Sequence, residues 1–235
     1  MSVVVLGNAV TFLVPLYIQL VQGRTSLDTA VAMIPYQLAV LAAAISVLSL
    51  YDRLTPRQIA RYAFVLVASA MVLLGVVMNN EWHNLLVVLA LVMFGLGQGA
   101  LVTQLFNVLM TSALIQFVGD VGSLRGTTRN LAAGVGTAVG GALVVAILVG
   151  NIQRSLVDNP NIPPELIKQV DLDRATFVSN ERLKDVMAGT TATPEQITEA
   201  VRINAEARLW ALKLSFLLLA GVALLSIVPA RRLPG

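Results

Sequence analysis

Six stretches of this sequence contain no aspartate, glutamate, lysine or arginine: Met1–Gly23, Thr29–Tyr51, Tyr62–Asn80, Trp82–Gly119, Asn130–Gln153 and Leu214–Ala230. A helix needs about 20 consecutive apolar residues to cross the roughly 30 Å of hydrocarbon in a bilayer. The first five stretches meet that length. The sixth reaches it when Trp210–Lys213 is added, with the Lys213 amine extending to the interface. Trp82–Gly119 is too long for one span and too short for two with a turn, so it reads as one helix followed by a loop. The runs show no period-2 alternation, which argues against a transmembrane barrel, and a backbone in lipid must satisfy its own hydrogen bonds, so the spans are helices. Composition agrees: 57% of residues are hydrophobic and 12% charged, about half the charged fraction of a soluble domain. The expected architecture is an all-α membrane protein with six transmembrane helices. Five lie within residues 1–150, at about 2–22, 29–50, 60–78, 84–110 and 128–150. A long helical loop then fills 151–207, a final span 208–230, and a short tail 231–235.

Basic residues in short loops set the orientation of such a bundle. Arg53, Arg57 and Arg61 follow the second span, Arg125 and Arg129 follow the fourth, and Arg231 and Arg232 follow the last. The opposite loops carry only Arg24 in one case and no basic residue across Asn79–Asn84 in the other. The expectation is a multi-pass protein of the plasma (cytoplasmic or inner) membrane with both termini in the cytoplasm. The long segment Asn151–Arg208 then lies outside; it holds nine acidic and seven basic residues and is near neutral. Pro163–Pro164 opens a helix there through Leu166, Ile167 and Val170. Thr193-Pro194-Glu195-Gln196 has the N-cap, proline and third-position glutamine of a helix start. The loop reads as a solvated cap or as a gate over a substrate path.

No enzyme motif is found, and no catalytic residue or nucleic-acid partner is expected. Cysteine is absent, which removes disulfides and thiolate metal sites, and the one histidine, His83, sits beside Trp82 at a span edge, where an interfacial anchor is the simpler role. No metal or cofactor is expected. Gly95-Leu-Gly97-Gln-Gly99 and Gly134-Val-Gly136 lie inside apolar spans with no preceding strand, so they fail the context test for nucleotide binding. The spacings Gly95/Gly99 and Gly136/Gly140 instead permit close helix contact. Polar groups inside a membrane are costly and therefore informative. Asn8 and Gln19 lie in the first span, Gln37 in the second, and Gln98, Gln104 and Asn107 in the fourth. These neutral side chains either line a cavity or bond neighbouring helices. No aspartate, glutamate or lysine lies deep in the first five spans. Pro15 and Pro35 favour kinks.

Several ordered features resemble transporters of the major facilitator superfamily, most closely the fourteen-helix drug:proton antiporters. The run Leu13-Val-Pro-Leu-Tyr17-Ile-Gln19-Leu, followed by Gly23 and Met33-Ile-Pro35, is similar to the ninth and tenth helices of that branch. Tyr51-Asp52-Arg53-Leu-Thr-Pro56-Arg57 resembles its cytoplasmic Asp-Arg…Arg loop. Asn107–Ser112, Gly122-Ser123-Leu-Arg125-Gly126 and Asn130–Gly141 resemble its twelfth-to-thirteenth helix region, and a long external loop before the final helix is typical. The resemblance covers essentially the whole chain, as helices nine to fourteen, which would form one half-bundle of the fold.

The resemblance implies the carboxy-terminal half of a proton-coupled exporter of lipophilic or amphipathic small molecules, working by alternating access and driven by a proton gradient. It implies Gln19, Gln98, Gln104 and Asn107 around a central cavity, and Asp52, Arg53 and Arg57 as a conformational latch. The family's amino-terminal half and its membrane-embedded coupling acids have no counterpart in the sequence, so the expected partners are the bilayer, that other half and the transported molecule. The first residue falls at the start of a span, which suggests a partial chain. The competing reading is a stand-alone six-helix membrane module that does not transport, or a half-transporter that pairs with a separate partner.

Overall fold

A computed structural model describes residues 1–51, 53–79, 85–112, 118–157, 180–190 and 192–231. Among them every regular element is a helix. The helices are α1 (Ser2–Leu16), extended by a π turn (Tyr17–Val21), α2 (Ser26–Ala32), α3 (Ile34–Leu50), α4 (Pro56–Val77), α5 (Leu85–Ser112), α6 (Val118–Val157), α7 (Asn180–Ala188), α8 (Pro194–Leu225) and α9 (Ile227–Ala230). Six of the resulting segments are long and apolar enough to cross a membrane: Ser2–Val21, Ser26–Leu50, Pro56–Val77, Leu85–Thr111, Gly122–Ile152 and Pro194–Ala230. The chain is an all-α, six-helix, multi-pass membrane protein.

Local sequence explains where the helices start and bend. Thr25, Thr55 and Thr193 each open a helix with a reciprocal capping box, closed by Asp28, Gln58 and Gln196. In each, the threonine hydroxyl accepts from the third backbone N–H and the third side chain accepts from the threonine N–H, which satisfies two of the donors that a helix start leaves open. Pro35 has no N–H to offer the Val31 carbonyl, so the second span breaks at Met33 into α2 and α3. Pro229 stands in the same relation to Leu225, where α8 ends and the short α9 begins. Pro15 lies within α1, and the helix widens into the π turn directly after it. Gly23, with a φ of 64°, takes the left-handed conformation that ends this span.

Two helices overrun the span limits expected from charge. The fifth begins at Val118 rather than near 128 and runs 40 residues, whereas the sixth begins at Pro194, the start expected from Thr193-Pro194-Glu195-Gln196, and runs on unbroken through the span limit near 208. A 40-residue helix is about 60 Å long, twice the hydrocarbon thickness. No proline interrupts 118–157, so Arg125 and Arg129 mark a change of solvent along one continuous helix. The start of α8 carries its own solvated ion pairs: Arg202 lies 2.6 Å from Glu199 and 2.8 Å from Glu206. There α7 packs on α8 through Leu183 and Met187 against Ile197, Ala200 and Val201. The expected helix at Pro163–Val170 lies outside the described residues.

The spans pack in the order α3, α5, α4, α8, α6, α1, each chiefly against its neighbours in that series. The series is drawn together by Leu6, Val10 and Leu13 of α1, Met71 and Leu74 of α4, Phe94 of α5 and Phe216 of α8, all buried. Tyr36 of α3 stacks on Phe94 with ring centroids 5.8 Å apart. α5 meets α1 and α6 only lightly, although α1 and α6 pack extensively on each other. A gap is left among these three helices at the Met1 end.

Candidate functional site

Small residues set how closely the three helices around that gap approach. A Cβ on Gly136 would lie 2.5 Å from the Val5 carbonyl oxygen, and one on Gly140 would lie 3.3 Å from Ala9 Cα. α6 therefore lies almost backbone to backbone on α1. On its other side, α5 packs on α3: a Cβ on Gly95 would lie 2.5 Å from the Tyr36 carbonyl oxygen, and one on Gly99 2.5 Å from that of Val40. α5 is thus held toward α3, away from the α1–α6 pair.

The space between is an open cavity of about 440 Å³. α1 contributes Val4 and Asn8, α5 contributes Gln98 and Phe106, and α6 contributes Arg125 and Arg129. Asn8 is half-buried and turns its amide back onto its own helix, donating to the Val4 carbonyl at 2.9 Å. Gln98 lies across Gly7, where its amide nitrogen occupies the place a side chain would take, 1.9 Å from an ideal Cβ. Gln98 is 9% exposed, and its Oε1 has no hydrogen-bond partner. The Arg125 guanidinium lies 4.1 Å over the centre of the Phe106 ring, a cation–π contact. Such a space, apolar with a few convergent polar groups, has the size and character of a small-molecule site, which run from about 300 to 1,000 Å³.

A smaller cavity of about 170 Å³ lies beside it, between α4, α5 and the end of the last span. Gln104 faces it, 2% exposed, with neither amide atom hydrogen-bonded. Of the other residues expected around a cavity, Gln19 is exposed in the π turn, and Asn107 is half-buried but lines neither of these two spaces. Gln98 and Gln104 therefore face adjoining cavities, whereas Gln19 and Asn107 lie apart from both. Among the expected latch residues, Arg53 and Arg57 are exposed at the start of α4, and Asp52 lies outside the described residues, as do Trp82 and His83.

Two polar ties at the opposite end were not legible as such. Arg208, 2% exposed, donates from Nη1 to the Leu20 carbonyl at 2.9 Å, from Nε to the Asn204 carbonyl at 3.3 Å, and from Nη2 to Asn180 Oδ1. Tyr17 donates its hydroxyl proton to the Asn79 carbonyl at 2.5 Å and accepts from Gln22 Nε2 at 2.9 Å. The sequence signal for Arg208 was available: Asn204, Arg208, Ala211 and Ser215 follow helical spacing along one buried face. Among the described residues no cluster of histidine, cysteine, aspartate or glutamate could hold a metal ion.

No known family model matches the chain, and no curated protein matches it.

Proposed function

We propose that the chain forms one six-helix half of a proton-coupled small-molecule efflux transporter that works by alternating access. The observation that carries this reading is the cavity between α1, α5 and α6, where the buried amide of Gln98 and the arginines of α6 meet an apolar wall inside a membrane bundle. A packed scaffold does not need a 440 Å³ space with an unpartnered amide oxygen on its wall. The least buried spans are Ser26–Leu50 and Gly122–Ile152, which suits helices that face a second half. Transport by rocking requires two halves around a central site. The second half would supply the membrane-embedded acids for proton coupling, which the first five spans lack. The arginine distribution supports an inner-membrane location with both termini cytoplasmic, and the cavity then opens toward the cytoplasm.

The reading is tested by joining the chain to an upstream segment of six to eight helices and measuring dye efflux against a proton gradient. Proton-dependent efflux is expected; none from a correctly inserted protein would reject the proposal. In the same assay Asp52→Asn is expected to impair efflux more than insertion, because the Asp52, Arg53 and Arg57 group would pin adjacent helix ends in one conformation. Equal loss of both would remove the latch.

A further inference from the structure

The larger cavity carries charge of one sign. Arg125 and Arg129, one helical turn apart on α6, both line it, and among the described residues no aspartate or glutamate does. Among the described residues neither arginine forms an ion pair. Arg125 is half-buried and Arg129 exposed, so two like charges stand on one wall and an anion between them would be attracted by both. The Arg125 guanidinium carbon lies 4.1 Å over the centre of the Phe106 ring. A guanidinium carries five N–H donors in a fixed fork, which can grip a carboxylate or phosphate through two parallel bonds.

From the arginines the wall continues along α5 through Leu109, Leu105 and Val102 to Gln98. Phe106 and Gln98 are separated by eight residues, a rise of about 12 Å along the helix. At that far point Gln98 is more than nine-tenths buried with Oε1 unpartnered, so a turn of its side chain would offer an acceptor to a hydroxyl or N–H group.

We propose that this cavity binds an amphipathic anion. Its carboxylate or phosphate-like head lies on Arg125 and Arg129, its apolar body runs along α5, and a polar group about 12 Å away meets Gln98. The proposal deepens the transport reading by naming its substrate class and rests on that reading for its biological meaning. The same chemistry is offered by a dissolved organic anion and by an anionic lipid.

The test uses the purified full chain in phosphatidylcholine nanodiscs, titrated with the fluorescent acid 11-(dansylamino)undecanoate and with its uncharged methyl ester, after subtraction of empty discs. The acid is expected to bind about tenfold or more tightly than the ester. Arg125→Gln with Arg129→Gln should abolish that preference at unchanged helicity, and Arg125→Lys with Arg129→Lys should retain part of it. Equal binding of acid and ester by the unaltered chain would overturn the proposal without recourse to any variant. So would a preference that persists in the double glutamine variant. Discs containing phosphatidylglycerol separate the sources: arginine-dependent displacement of the probe assigns the anion to the bilayer, and undiminished probe binding assigns it to solution. Either result supports an anion site. Because binding is read without a second half or a proton gradient, absent efflux with intact anion preference rejects transport alone.

Discussion

The guanidinium of Arg208 donates to the backbone carbonyl of Leu20 across 2.9 Å, joining the last span to the end of the first. Leu20 lies in the π turn that follows Pro15, where the last carbonyls of a helix lack a partner in their own chain segment. The same guanidinium donates to Asn180 at the start of α7. One buried cation thus ties together the end of α1, the α7 cap and α8.

Arg208→Leu should destabilise the protein by about 2–5 kcal/mol, because it leaves the half-buried Leu20 carbonyl without a donor and removes three charge-assisted bonds. Arg208→Lys should fall between the two, since an ammonium keeps the charge but cannot reproduce the fork. Thermal unfolding of the detergent-solubilised chain measures both. An unchanged midpoint for Arg208→Leu would mean that the tie does not stabilise the bundle.

Two glycines only two positions apart on α6 should respond in opposite directions to alanine. At Gly136 the new Cβ would stand 2.5 Å from the Val5 carbonyl oxygen, a backbone atom that cannot swing aside. The helices must separate, at a cost of about 1–3 kcal/mol. At Gly134 nothing lies within 4 Å, and alanine removes the helix penalty of glycine, a gain of about 0.5–1 kcal/mol. The pair is compared by the same unfolding measurement. Equal effects of the two changes would show that α6 does not rest on α1 through Gly136.

Losing one hydroxyl should loosen the join between α1 and α4. Tyr17→Phe removes the 2.5 Å bond to the Asn79 carbonyl and the acceptor used by Gln22. The expected loss is about 1–2 kcal/mol. It should be accompanied by faster hydrogen exchange in Tyr17–Val21, and protection unchanged there would place the stabilisation elsewhere.

The six spans were legible because lipid imposes a simple rule: a long charge-free run must be a helix. Helix ends were less legible, because charge reports where solvent changes and not where the backbone does. Arg125 and Arg129 read as loop residues, yet they ride on α6, which begins at Val118. Thr193-Pro-Glu-Gln and Thr55-Pro-Arg-Gln form the same capping box, but the arginines around Thr55 carry the charge pattern of a loop and mask its helix start. The cavity was harder still. Gln98 and Gln104 stood out as polar residues in an apolar run, but so did Gln19 and Asn107, and no local signal separates those that face a cavity from those that do not. That depends on which helices pack together, which arises from contacts distant in sequence. The role of Arg208 is hidden from the sequence for the same reason, since its acceptor Leu20 is 188 residues away.

Gln104 offers a sharper test of the second cavity. Its amide is 2% exposed and neither polar atom has a protein partner. If the amide stays dry, Gln104→Met keeps the length of the side chain and removes its desolvation cost, so the protein should become more stable by about 1–3 kcal/mol. If waters occupy the adjoining 170 Å³ and bond the amide, the same change strands them beside an apolar group and stability should fall. We expect stabilisation, because the walls of that space include Val3, Phe64, Leu101 and Val108, which give a water few partners. Anion binding in the larger cavity should be unaltered, since Gln104 does not line it. A drop in both stability and anion affinity would mean that the two cavities act as one hydrated space, with Gln98 and Gln104 sharing its water.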